Sequence, residues 1–169
     1  MAHIYIFAPR FFGMEIKIVN TQEADVLAQL NEDVQSLHTR LYPNVFKPYN
    51  KEAIQRALQE MLDLENCIAY LALNHDIPLG YMLAFIDHKP ENPFTYERYD
   101  LYIDQLVVKE AYRGQGVAVK LMNEAKKFAE RMGMHRIHLD HWKYNDTAQL
   151  AFEKMGFEAF KYQMELRLR

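Results

Sequence analysis

The sequence predicts an α/β fold, a mixed sheet with helices on both faces. Three observations carry that prediction. Segments of strand length, alternating or wholly apolar, come before and after segments with helical spacing, so crossover helices must join some of the strands. One apolar run passes through a glycine-bearing turn directly into a helical stripe at residues 101–122, LYIDQLVVKEAYRGQGVAVKLM. Half of the 169 residues are apolar and a quarter charged, an ordinary balance for a globular chain that buries a core without staples.

The elements follow in order. Residues 1–13, MAHIYIFAPRFFG, stand apart, as a leader or upstream extension or as an added edge strand over HIYIF. A single domain is expected over residues 14–169, with no internal repeat, low-complexity tract or linker. Residues 14–20 alternate apolar and polar, which predicts a half-buried strand. Thr21 opens a helix that runs through His38, with Val26, Leu27, Leu30, Val34 and Leu37 at helical spacing. Pro43 and Pro48 break the pattern, and Asn50 then caps a second helix whose stripe is Ile54, Leu58, Met61 and Leu62. Residues 67–73 and 79–86 predict two strands joined by the turn Asn74-His75-Asp76. Residues 88–99, with Pro90 and Pro93, predict an exposed loop, and 99–108 the central strand. Residues 116–132 predict a helix that turns Leu121, Met122, Ala125, Phe128 and Ala129 inward and ends at Gly133. A strand over 135–140, a helix over 146–155 and a last alternating strand over 157–169 complete the order.

Composition narrows the function. A formal charge of −3 gives no footprint for nucleic acid or a membrane surface. No apolar run approaches the roughly 18 residues of a membrane span. The start of the chain lacks the features of a secretory signal. A cytoplasmic protein is expected, with no metal. Cys67 is the single cysteine and lies in the apolar stretch NCIAYLAL, where an inert buried thiol is expected.

The turn at Arg113, Gly114, Gln115, Gly116, Val117 and Ala118 is the first site candidate. A strand that turns into a helix N-terminus offers free N–H groups and a partial positive charge to a phosphate. The glycines let a bulky anion approach the main chain. A dinucleotide fingerprint fails because Val119 stands at its last position, and a Walker loop fails because no Gly-Lys-Ser/Thr triplet exists. Residues 113–118 do fit the pattern Q/R-x-x-G-x-G/A. Downstream, NDTAQLAFEKMGF resembles N-x-x-A-x-x-x-Y-x-x-x-G-F, with Asn145, Ala148, Gly156 and Phe157 on the pattern. The two motifs in this order resemble the Gcn5-related N-acetyltransferase (GNAT) superfamily. The resemblance covers roughly residue 14 to the C-terminus. Phe152 departs from it, standing where the family usually has tyrosine.

The resemblance implies a mostly antiparallel central sheet splayed between strands 4 and 5, here residues 99–108 and 135–140. It implies acetyl-CoA as acetyl donor, its pyrophosphate on residues 113–118 and its pantetheine arm along the backbone of Leu106 and Val108, with a backbone N–H near Val107 or Val108 for the oxyanion and Asn145, Ala148 and Phe152 contributing. Asp104 is the candidate base, matched to a carboxylate on this strand in polyamine-type members. Asp140 and His141 are further candidates, and Tyr144 or Tyr162 could replace the missing acid. The acceptor side would fall to Gln35, His38, Arg40, Tyr42 and Phe46, with Glu91, Glu97 and Tyr99. The expected activity is acetyl transfer to a primary amine of a small molecule by direct attack. Two alternatives stand beside it, a non-catalytic acyl-CoA-binding module and a protein or peptide N-acetyltransferase. Members of the family commonly dimerise, so a homodimer comes with the resemblance.

Overall fold

The computed structural model describes residues 14–166 and 168. The segment before residue 14, and with it the strand expected over HIYIF, lies outside the described residues. These divide between His138 and Leu139 into two units.

In the first unit, strands lie in chain order in one sheet: β1 (Ile16–Asn20), β2 (Cys67–Asn74), β3 (Ile77–Lys89), β4 (Arg98–Val108) and β5 (Arg136–Leu139). The first four pair antiparallel. β5 follows a crossover helix and runs parallel to β4. One face carries α1 (Ala24–Leu41) and α2 (Lys51–Leu62). Their stripe of Leu27, Leu30, Leu58 and Leu62 packs on Ala69, Leu71, Tyr81, Leu83 and Val107. Each such buried leucine contributes about 1.5–3 kcal/mol relative to exposure. α3 (Val117–Arg131) supplies Leu121, Met122 and Ala125 to the buried core. It packs against the first four strands, whose alternate residues (Met82, Ala84, Leu101, Ile103) are buried as well. Helices therefore cover both faces, as the sequence predicts.

Asn50 does cap α2: its side chain accepts from the Ala53 amide at 2.8 Å. The hairpin of β2 and β3 closes through His75 and Asp76, with His75 at φ 52°. The expected loop over 88–99 is shorter than predicted. β3 and β4 continue because His88 pairs with Tyr99, stacks on its ring at 4.1 Å and meets Glu97 at 2.9 Å. Those cross-strand contacts outweigh the nearby prolines, which sit beyond the last pairs.

The second unit holds α4 (Asp146–Lys154). Asn145 caps it by accepting from the Ala148 amide at 3.2 Å, and the Phe157 amide returns to the Phe152 carbonyl at 3.0 Å. The strand expected over 157–169 does not form among the described residues. Its alternating residues Tyr162, Met164, Leu166 and Leu168 are all more than four-fifths exposed. Period-two alternation marks a face that could be buried and carries no information about a partner edge.

Candidate active site

β4 organises the site because it carries two irregularities. Near its middle, Leu83 pairs with Gln105 while Ala84 pairs with Ile103, so Asp104 is the extra residue of a β-bulge. A bulge can turn consecutive side chains to one face, and here the Gln105 amide reaches the Asp104 carboxylate at 3.2 Å. At its end, β4 passes through a 3-10 turn, Glu110–Tyr112, into residues 113–116 and the start of α3. The Glu110 amide donates to Asp33 on α1 at 3.0 Å, which fixes where the turn begins.

Gly114 and Gly116 adopt φ of 73° and 84°, in the left-handed region that favours glycine, and a Cβ on either would meet nothing within 4 Å. The Lys120 amide makes the first bond of α3, to the Gly116 carbonyl at 3.0 Å. The amides of Val117, Ala118 and Val119 therefore stand ahead of the helical ladder, and the first turn carries no acidic residue. Gln115 folds back onto the Ala111 carbonyl at 2.9 Å. Arg113 Nε donates to the Val108 carbonyl at 3.2 Å, tying the guanidinium to the strand end.

The β4 residues expected at the cofactor, Leu106 and Val108 for the arm and Val107 or Val108 for the oxyanion N–H, do not point alike. The Lys109 amide bonds the Leu79 carbonyl of β3 at 2.9 Å. Main-chain groups alternate edges along a strand, so Val107 also faces β3 and its side chain is buried in the core. A Cβ on Gly80 would lie 2.3 Å from the Val107 carbonyl oxygen, so β3 and β4 approach closely there. Leu106 and Val108 turn their amides and carbonyls to the opposite edge. β5 lies beside the first half of β4, where Arg136 meets the buried Asp100 carboxylate and the His138 ring lies 5.2 Å from Tyr102. It ends at Leu139, so the half of β4 that begins at Asp104 runs past it.

Beneath α1, Asp104 joins a polar group that sequence reasoning missed. Tyr81 is fully buried, and its hydroxyl lies 2.8 Å from Asn31 Nδ2 and 2.5 Å from Gln105 Oε1. Asn31 occupied an apolar-stripe position of α1, four residues after Leu27, and that was the available signal. Burial raises the Tyr81 pKa, with the Asp104 charge adding to the shift. Burial and then Asp104 push the Cys67 thiol up to about 11, which fits the expected inert cysteine.

Of the expected acceptor residues, Gln35, His38, Tyr42 and Phe46 gather at the connection between α1 and α2, whereas Glu97 and Tyr99 meet His88 at the far end of the β3–β4 pair. Gln35 Nε2 and Thr39 Oγ1 both donate to the Lys47 carbonyl, at 2.6 and 2.8 Å. His38 lies 4.6 Å from the Phe46 ring and Tyr42 lies 6.5 Å from it. Burial lowers the His38 pKa. Gln35 thus holds the connection in place. One row along the sheet from Asp104, a hollow of about 340 Å³ is lined by Asn66, Phe85, Ile86, Asp87, Tyr102 and His138. Asp87, Asp100 and His138 offer donor atoms within 4.8 Å of one another. Arg136, Arg98 and Lys89 already neutralise the two carboxylates, so the charge there does not favour a metal ion.

Within the second unit, the His141 and Phe152 rings lie 6.2 Å apart and Phe152 meets Phe157 edge-on at 5.9 Å. His141 Nδ1 approaches the Trp142 carbonyl at 3.3 Å, Lys143 lies over the exposed Tyr144 ring at 5.7 Å, and Tyr162 is exposed. Among the described residues, no helix is long and apolar enough to cross a membrane.

Known proteins resemble both the sequence and the fold. The chain is 28% identical over 98 residues to the uncharacterized N-acetyltransferase YycN of Bacillus subtilis, covering 58% of this chain and 59% of that protein. It is 28% identical over 89 residues to the L-ornithine N5-acetyltransferase NATA1 of Arabidopsis thaliana, covering 53% of this chain and 37% of that one. The chain therefore spans less than two thirds of either relative. The fold superposes on a tetramutant of the BH1408 protein from Bacillus halodurans with a TM-score of 0.84 at 21% identity, covering 92% of this chain and 100% of that one. It superposes on the aminoglycoside N-acetyltransferase AAC(6')-Iy, solved with CoA, with a TM-score of 0.68 at 19% identity, over 96% and 99% of the two chains. The Acetyltransferase (GNAT) family matches residues 31–157, both motifs included, and the chain belongs to that family.

Proposed function

We propose that the protein transfers an acetyl group from acetyl-CoA to a primary amine of a small molecule by direct attack. The observation that carries this reading is a bulged carboxylate at Asp104 on β4, followed past the strand's end by a glycine turn whose next amides precede the helical ladder of α3. About 13 Å of strand separates Asp104 from Val108, at roughly 3.3 Å per residue. A donor with its anion at one end of a long arm and its thioester at the other needs that separation. The pyrophosphate would meet the amides of Val117 and Ala118, with Arg113 adding charge. The arm would bond the outward groups of Leu106 and Val108, and an outward amide would stabilise the oxyanion.

Asp104 would take the proton of the attacking amine, directly or through water. An alkyl amine has a pKa of about 10.4 and must be neutral to attack. The hollow that Tyr102 lines two residues before Asp104 on β4, with Asp87 and Asn66 on its wall, would hold the rest of the acceptor and suits a small polar or cationic body. Two similar proteins, an L-ornithine and an aminoglycoside N-acetyltransferase, support amines of that class.

Thiol release from acetyl-CoA across a panel of diamines, basic amino acids, aminoglycosides and peptides tests the reading. Release above hydrolysis with a small amine supports it. Acetyl-CoA binding without release for any amine would favour an acyl-CoA-binding module, a reading that the absence of an acid at Phe152 motivates. Acetylated peptides alone would favour a protein acetyltransferase.

A further inference from the structure

We propose that Gln105 is a positioning residue: oriented by Tyr81 and Asn31, its amide holds the Asp104 carboxylate ionised and aimed. The proposal rests on the reading of Asp104 as base. It starts from a cost. Tyr81 is fully buried and Asn31 is 8% exposed, and burying an amide and a hydroxyl is unfavourable unless both are hydrogen-bonded.

The bonds form a chain with one direction. Asn31 Nδ2–H donates to the Tyr81 hydroxyl at 2.8 Å. A hydroxyl has one proton, so Tyr81 gives it to its other neighbour, Gln105, at 2.5 Å. Only the amide oxygen of Gln105 can accept, and a second contact from Asn31 Nδ2 at 3.3 Å converges on that same oxygen. Reversing the amide would set its NH₂ against two donors. The Gln105 NH₂ is therefore turned away from Tyr81 and Asn31, and its Nε2 lies 3.2 Å from Asp104 Oδ2 and 3.9 Å from Met61 Sδ. The bulge makes the last contact feasible, because neighbouring side chains on a regular strand point to opposite faces.

A donor on a carboxylate favours the charged form. That matters most when the site fills and water leaves, since desolvation would draw Asp104 toward its neutral, non-basic form. The Asp104 charge acts on the Cys67 thiol of β2 and on the Tyr81 hydroxyl of β3. Both stay protonated through neutral pH, so neither supplies the acidic limb of a rate profile.

The test compares wild type, Asp104→Asn, Gln105→Leu and Tyr81→Phe by pH profile of kcat/KM and by carboxyl NMR titration of Asp104. In Gln105→Leu, the Asp104 titration and the acidic limb should both rise by about one pH unit, the scale of one charge-assisted hydrogen bond. The KM for acetyl-CoA should stay unchanged. Tyr81→Phe, which removes one oxygen and keeps the ring, should move both in the same direction by less. It serves as the readout if Gln105→Leu does not fold. An unshifted Asp104 titration in either folded variant overturns the proposal. If Asp104→Asn keeps the wild-type rate and profile, the base reading fails instead, and the NMR titration still decides whether Gln105 holds the carboxylate.

Discussion

Where the family pattern usually places a tyrosine, Phe152 meets Phe157 edge-on and offers no proton. General acid help is typically worth 10²–10⁴-fold, and a thiol with a pKa of about 8.5 can leave as thiolate without it. Phe152→Tyr should therefore not lower turnover. A large drop in kcat with unchanged acetyl-CoA binding would sink that view. Gly80 is constrained differently, since a Cβ would lie 2.3 Å from a backbone oxygen of β4. Gly80→Ala should cost about 1–3 kcal/mol in urea unfolding, as overpacking does. An unchanged midpoint would show that the strands separate easily. Residues 113–118 and Phe152 were legible in the sequence because a motif fixes their spacing. The partnership of Asn31 with Tyr81 was not, because fifty positions separate them and only folding sets them 2.8 Å apart.

Among the elements, the glycine turn and α3 are the unit to which the proposed function assigns cofactor affinity. Gly116→Val would force a branched residue to φ 84° and fill open space with a side chain. The backbone cost is about 1–2 kcal/mol, and the loss of acetyl-CoA binding should far exceed it. Glu110→Ala is the control and should be nearly silent, because the bond to Asp33 comes from the Glu110 backbone. Calorimetry on both folded variants checks this, and undiminished affinity in Gly116→Val would refute the placement of the pyrophosphate. Helix starts were legible from caps such as Asn50, which act within one turn. The bulge at Asp104 was not legible, since it is a mismatch of count between two strands. Nor was the fate of residues 157–166, whose alternation reads as a strand and pairs with none.

For the whole molecule, His38 contributes to the acid limit of stability, and Cys67, with the raised tyrosines Tyr49, Tyr70 and Tyr81, to the alkaline one. Burial lowers the His38 pKa below 6.5, so the unfolded chain takes up its proton first as pH falls. The stability involved is complete above 6.5 and is lost as pH drops through the folded value. Cys67 acts in the opposite sense, with its folded pKa raised from 9.0 to about 11. Its contribution is complete below 9.0 and is lost as pH rises toward 11. Urea midpoints across pH should form a plateau with two falling arms. His38→Phe should make the acid arm shallower, and Cys67→Ala should make the alkaline arm shallower between pH 9 and 11 while the part due to the raised tyrosines remains; arms of unchanged slope in both variants would contradict the assignment. The thiol should also resist alkylation at neutral pH, because the thiolate is the reacting species.

Removing Asp104 altogether would leave every pair on either side of it intact, Ala84 with Ile103 and Leu83 with Gln105, and would make β4 and β3 a regular ladder. The single inserted residue is thus a defect in the architecture that, on the proposed function, chemistry retains. A population of variants selected for heat resistance alone should discard it, and one selected for turnover should keep it. Melting temperature and acetyl transfer, measured on the one-residue deletion, should move in opposite directions.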